Sequence, residues 1–265
     1  MLNTPTTRPS LGLANWIGLK TLYFKEIQRF LKIYSQTLIA PVVTTLLFLA
    51  VFSVTFGNNR IVAGLPYVVF LGPGLIIMTI LQNSFSNTST SLIQQKLNES
   101  ITDVLTPPLS PIELTLGYIL GGATRGLLVA IVVSFTLFLL IPIGIYNVYF
   151  IIAHGIGAAL MMSAMGMITG IWAEKFDHVS TVTNFIILPL SFLSGTFFSV
   201  ERFPAVLRAI SNFNPFFYLI DGFRYGFTGY SDGSLTIGLS VILTFNIFLC
   251  FSCFMMVRKG YKIKA

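Results

Sequence analysis

The chain has 265 residues, of which 54% are hydrophobic and only 9% charged, with a formal net charge of +7. An ordinary globular domain carries roughly 25% charged residues, so these charges are too few to clothe a soluble surface of this size. A cytosolic enzyme, a secreted disulfide scaffold and a free nucleic-acid binder are excluded, and an integral membrane protein is expected.

Residues 1–32 alternate apolar and charged positions and lack the short apolar core and small-residue cleavage site of a signal peptide. Over 14–34 the helical period places Trp16, Tyr23, Ile27, Phe30, Leu31 and Tyr34 on one face and Thr21, Lys25, Gln28, Arg29 and Lys32 on the other, with Lys20 off the pattern. Such a helix lies in the membrane plane, aromatics toward the acyl boundary and lysines toward headgroups. It serves as a lead-in to the first span, as a contact for a cytoplasmic partner, or as both.

A crossing helix needs about 20 mostly apolar residues. Runs nearly free of charge place six spans at 34–56, 67–92, 115–141, 149–172, 179–200 and 235–257, with Ile141-Pro142-Ile143-Gly144 and Asn147 turning the chain between the third and fourth. The runs lack the period-2 alternation of a lipid-facing barrel. The expected fold is an all-α polytopic membrane protein with one transmembrane domain over 1–265. Eleven Lys and Arg residues, from Arg8 to Lys264, fall on the side of the termini, against Arg60, Arg202, Arg208 and Arg224 on the other. Both termini are therefore predicted to be cytoplasmic, and the basic excess is a topology signal rather than a nucleic-acid footprint.

The inner half of the second span is too polar to face lipid on all sides: Gln82, Asn83, Ser84, Ser86, Asn87 and the hydroxyl residues through Ser91. The fifth span adds Thr181, Thr183, Asn184, Ser191 and Ser194. These groups meet other helices by hydrogen bonding or line a water-filled path; Gln82, Asn83, Ser86, Asn87, Thr183, Asn184, Ser191 and Ser194 are the candidates for the path. In the fourth span Gly155, Ala159 and Ser163, then Gly166 and Gly170, read as packing surfaces. Arg125 is a charge well inside the third span; it is functional, snorkels, or pairs with Glu113 or Glu174.

Between the second and third spans, Ser100 and Asp103 have the spacing of a capping box, and Pro107-Pro108 stops any helix. A helix of one to two turns is predicted across 98–106, where helix physics alone offers no more than a tidy turn. Ser110-Pro111-Ile112-Glu113 then starts the third span as cap, first residue and box partner. The outward segment 201–232 is punctuated by Pro204, Asn214-Pro215 and Gly229 yet rich in phenylalanine. Two short helices dipping into the outer leaflet fit it, with Asn214-Pro215 starting the second and Asp221 pairing with Arg224 at i and i+3.

No catalytic constellation is found. His154 and His178 are predicted on opposite membrane faces, and Cys250-Phe251-Ser252-Cys253 sits mid-span without a basic neighbour. The chain contains no Gly-Lys dipeptide and hence no P-loop.

This order of parts resembles the permease subunit of bacterial type-2 ABC exporters over nearly the whole chain. The motifs are the loop NESITDVLTPPLSPIEL and, most specific, the stretch 185–226, where Pro-Leu-x-Phe-Leu-Ser-Gly precedes Asn-Pro-x-x-Tyr-x-x-Asp-x-x-Arg. The resemblance implies an inner-membrane exporter that forms its path as a dimer and is driven by two separate ATPase subunits carrying ATP and Mg, with no cofactor in this chain. It implies a coupling helix at 98–106 with Asn98, Glu99, Ser100, Asp103, Leu105 and Thr106 at the docking surface. Family members often carry a Gly-Thr pair and a Glu where this chain has Ser100-Ile101-Thr102-Asp103. The resemblance also makes 201–226 a re-entrant exit segment built on Asn214, Pro215, Tyr218, Asp221 and Arg224. The competing reading is a self-contained secondary transporter or channel, but no internal repeat and no acidic residue inside a span supports ion coupling. An intramembrane enzyme lacks paired carboxylates and metal ligands.

Overall fold

The computed structural model describes residues 15–56, 60–62 and 64–262. Arg8, Lys264 and the first residue of the predicted 14–34 helix lie outside the described residues. Helix α1 (Trp16–Leu31) starts on Asn15, whose side chain accepts the Gly18 N–H. A π-turn at Ser35–Ile39 leads into α2 (Ala40–Phe56). A hairpin of β1 (Ile61–Val62) and β2 (Leu65–Pro66) turns through Gly64 at φ +76°. It delivers the chain to α3 (Tyr67–Leu97), whose 31 residues are about 46 Å long. The short α4 (Ile101–Leu105) precedes α5 (Pro111–Leu140) and α6 (Val148–Trp172). Then come α7 (Phe176–Val182), a π-turn at Thr183–Ile187, α8 (Leu188–Phe192), α9 (Ala205–Phe213), α10 (Pro215–Thr228) and α11 (Leu235–Arg258).

Five of the described helical segments are long and apolar enough to cross a membrane: Ser35–Phe56, Tyr67–Leu97, Pro111–Leu140, Val148–Trp172 and Leu235–Arg258. They coincide with five of the predicted spans. The predicted fifth span, 179–200, is helical only to Phe192; Gly195 adopts φ +78°, a left-handed conformation that ends the run.

Helix α3 is wrapped by α5, α6 and α10. Small residues permit the close approach: Gly126 lies on Ser84, Gly122 on Thr88 and Ser163, and Gly166 on the backbone of Phe85. Ser163 and Thr88 share a 2.7 Å hydrogen bond, and Ser163 donates to the Ile119 carbonyl at 2.8 Å. The small-residue steps in α6 are therefore packing surfaces, as expected. Val43, Leu47, Val51 and Val54 of α2 and Leu243, Ile247 and Phe248 of α11 remain exposed, so both helices offer apolar faces outward.

Local chemistry decides the two caps. Ser110 has extended backbone (ψ 156°), accepts the Glu113 N–H, and receives the Glu113 carboxylate on its own N–H at 2.7 Å, completing the capping box. Ser100 does not: its ψ of −2° is turn-like, its side chain makes no cap bond, and its hydroxyl reaches back to the Gln95 carbonyl. The predicted Ser100–Asp103 box is absent because Glu99, at φ +57°, makes the reversal and α4 begins only at Ile101.

Candidate translocation path and coupling surface

Between α2, the middle of α3 and the α7–π-turn segment lies a cavity of about 390 Å³. Gln36, Thr44, Gln82, Asn83, Ser86 and Thr183 give it polar walls, and Phe48, Leu75 and Ile187 apolar ones. Four of the eight predicted path residues thus meet here: Gln82, Asn83, Ser86 and Thr183. The other four do not. Asn87 is buried against α1, where its backbone and side-chain oxygens accept Arg29 Nη2 at 2.7 and 2.8 Å. Asn184 is exposed on another face. Ser191 closes onto the Ile187 carbonyl, and Ser194 accepts Asn214 Nδ2 at 2.7 Å. These last three are polar groups with structural partners or outward orientation, the alternative that hydroxyl and amide side chains in a helix always offer. Along α2, Phe48, Phe52 and Phe56 stack at i, i+4 and i+8, with Phe197 4.8 Å from Phe52, so an aromatic wall follows the polar chamber.

At the far end of α3, α4 is seated by Ile101 and Val104, both buried in an apolar cluster with Leu92, Leu114, Met167 and Ile171. This leaves Asn98, Glu99, Thr102, Asp103 and Thr106 exposed on one small surface. Ser100 and Leu105 are half-buried, and Leu105 packs on that same cluster, so these two belong partly to the seat. Nearby, Lys96 Nζ donates to the Ile171 and Ala173 carbonyls at 2.8 and 2.6 Å, capping the end of α6. Glu174 and Lys262 pair at 2.7 Å, tying the C-terminal tail to the α6–α7 turn. Each holds the other charged: Glu174 is lowered and Lys262 raised from its usual pKa.

At the opposite end, Asn214 caps α10 through the Phe216 N–H and Pro215 takes the first helical position, as predicted. Tyr218 donates to the Asn212 carbonyl at 2.9 Å. The predicted Asp221–Arg224 pair does not form. Asp221 accepts from Asp232 N at 2.7 Å, Gly233 N at 3.0 Å and Ser231 Oγ at 3.0 Å, so it holds the 231–233 turn. Arg224 is fully buried and lies 3.9 Å over the Phe70 ring. It donates to the carbonyls of Phe70 (3.3 Å), Gly195 (2.5 Å) and Thr196 (3.4 Å). Carbonyls around Gly195 and at the start of α3 engage Arg224, and the N–H groups of the 231–233 turn engage Asp221, in place of a direct pair. Asp232 in turn accepts from Ser199 and Tyr230. Burial, then that hydrogen bond, push the Tyr230 phenol up to about 12.

A network not anticipated from the sequence anchors α1. Its buried line is Leu22, Glu26 and Phe30, whereas Trp16, Leu31 and Tyr34 of the predicted apolar face are exposed. Glu26 pairs with Arg29 at 3.3 Å and accepts from Ser91 at 2.7 Å and Gln95 at 3.4 Å; Tyr118 donates to Gln95 at 2.7 Å. A lone acidic residue inside an amphipathic segment, three residues before an arginine, was the available signal. Gly117 and Gly121 on α5 leave room for Leu22 and Glu26. Arg125 forms neither of its two expected pairs: Glu113 is occupied by Ser110 and Asn15, and Glu174 by Lys262.

Cys253 is a buried thiol donating to the Ala164 carbonyl, and no group of three potential metal ligands occurs among the described residues. Apolar helices around a central helix with one polar half, beside a side chamber and a small exposed loop helix, define a multi-pass membrane protein. Residues 18–228 match the ABC-2 type transporter family, and the chain belongs to it. It is 32% identical over 252 residues to the inner membrane transport permease YadH of Escherichia coli (strain K12), covering 94% of this chain and 98% of that protein. The protein of the same name from Shigella flexneri matches equally. Nodulation protein J of Neorhizobium galegae is 21% identical over 256 residues, covering 94% of each. The chain is a transporter permease and not an enzyme.

Proposed function

We propose that the chain is the membrane half of an ATP-driven exporter in a bacterial inner membrane. Two copies apply their α2, α3 and α7–α8 faces to each other, so that two side chambers become one path. Two ATPase subunits, which carry the ATP and Mg, dock on the 98–106 segments. Both termini are cytoplasmic, Phe176–Phe192 is the sixth crossing, and α9–α10 form the re-entrant pair at the exit.

The observation that carries this reading is α4 itself. Two buried residues fix it to the ends of the central helices, and five exposed polar side chains, Asn98, Glu99, Thr102, Asp103 and Thr106, are left for a partner. A push on α4 is transmitted to α3 and α5 through rigid packing, and α3 lines the chamber. The inner-membrane setting follows the description of the YadH relatives. An ion-coupled secondary transporter would have no use for such a surface and would need ionisable groups in the chamber, whose lining is uncharged. The test is cysteine crosslinking from Asp103→Cys to a co-expressed ABC ATPase subunit from the same organism, with and without nucleotide. Nucleotide-dependent crosslinks support coupling; a segment that crosslinks to nothing is only a turn.

A further inference from the structure

Where α1, α3 and α5 meet, positive charge lacks a counter-ion. Arg125 lies one helical turn beyond Gly121, the residue that Glu26 covers. Its Nε is buried without a hydrogen-bond partner, and neither ion pair among the described residues includes it. Across the junction Arg29, three residues beyond Glu26 on α1, places Nη2 on Asn87. Glu26 is engaged by Arg29, Ser91 and Gln95. Two more donors at this junction are unsatisfied: Ser84 Oγ, which lies against Gly126, and Asn87 Nδ2. Asn87 stands 20 residues, about 30 Å, along α3 from Tyr67, the thickness of a hydrocarbon core. With Tyr67 at one boundary, the cluster falls at the other headgroup level. An unpaired guanidinium there is costly, and basic pockets between spanning helices are the usual seats of lipid phosphates.

We propose that the α1–α3–α5 junction binds the phosphodiester of an anionic phospholipid, with Arg125 and Arg29 as cationic ligands and Ser84 and Asn87 as neutral donors. The bound lipid ties the amphipathic helix to the bundle. Assignment to the inner leaflet rests on the topology proposed above; the phosphate chemistry does not.

The test uses the full-length chain in nanodiscs of phosphatidylcholine doped with phosphatidylglycerol, followed by native mass spectrometry after release into mild detergent. The wild type should retain one phosphatidylglycerol per chain in preference to phosphatidylcholine. Arg125→Gln should lower that retention at least about fivefold, the loss of one interfacial arginine, while Arg125→Lys keeps most of it. If Arg125→Gln fails to fold, saturation of the wild type at one phosphatidylglycerol per chain carries the test. Equal retention by a folded Arg125→Gln, or no preference in the wild type, overturns the proposal. Stoichiometric displacement by inorganic phosphate would show a free-anion site and overturn it as well. None of these readouts involves the ATPase, so failure here leaves the coupling reading intact.

Discussion

Glu26→Gln is the most informative single change in the bundle. Glu26 is fully buried and its carboxylate is shared among Arg29 at 3.3 Å, Ser91 at 2.7 Å and Gln95 at 3.4 Å. Removing one member of a buried ion pair costs about 3–5 kcal/mol, because the other charge is left uncompensated. Here Arg29 keeps 24% of its side chain exposed and both bonds to Asn87, which screens and re-houses the charge. The amide also keeps an acceptor for Ser91. The expected loss is therefore about 2 kcal/mol, roughly a 30-fold fall in the folded-to-unfolded ratio. Unfolding of the purified chain in mixed SDS micelles measures it. Arg29→Gln in the Glu26→Gln background should cost little further, giving a coupling of about 1–2 kcal/mol in the double-mutant cycle. A neutral Glu26→Gln, or strictly additive losses, would refute the claim that this pair fastens α1 to α3.

Arg224 and Asp221 anchor different backbone segments, so Arg224→Gln and Asp221→Asn should each destabilise by about 2–4 kcal/mol and combine nearly additively; a large coupling in the same SDS assay would restore the direct pair. Arg224→Lys should recover only part of the loss, since an ammonium lacks the planar fork that reaches the Phe70 and Gly195 carbonyls while stacking on the Phe70 ring. The Glu174–Lys262 contact has a pH window. The depressed Glu174 adds stability above its ordinary pKa that is lost as pH falls through the lowered one, and the raised Lys262 adds stability lost as pH rises through its own. A spin label at position 260 should therefore loosen only below the ordinary carboxylate range or above the ordinary lysine range, and salt should weaken the contact throughout. Lys262→Cys should resist an impermeant thiol reagent in intact cells; rapid labelling would invert the topology.

The long helices were legible because burial in lipid leaves few ways to write an apolar run, and α3, α5, α6 and α11 begin and end close to their predicted bounds. The Ser110 box and the Asn214-Pro215 start were legible because cap chemistry is local. What failed depended on partners. Asp221 and Arg224 share a helix face, but backbone groups far along the chain claimed each of them. Asn87 and Ser194 have the same polarity as Gln82 and Ser86, yet only contact with Arg29 or Asn214 draws them away from the chamber. The early end of the fifth span turned on the left-handed Gly195, whose conformation the surrounding apolar run concealed. In α1 the period was right in kind but about a quarter-turn out, because a charge, Glu26, occupies the buried line.

The central claim is that an ATPase drives this permease through the 98–106 segment, and co-purification with turnover tests it most directly. The tagged wild-type chain, co-expressed with an ABC ATPase subunit from the same organism and placed in nanodiscs, should carry that subunit at one copy per permease and hydrolyse ATP. Asp103→Arg, exposed and outside the buried seat of α4, should leave the chain folded in the membrane while lowering ATPase retention at least about tenfold, near the 1.4 kcal/mol that a reversed interfacial charge readily exceeds. A wild-type chain that retains no ATPase, or an Asp103→Arg chain that retains it fully and supports the same turnover, would contradict the account.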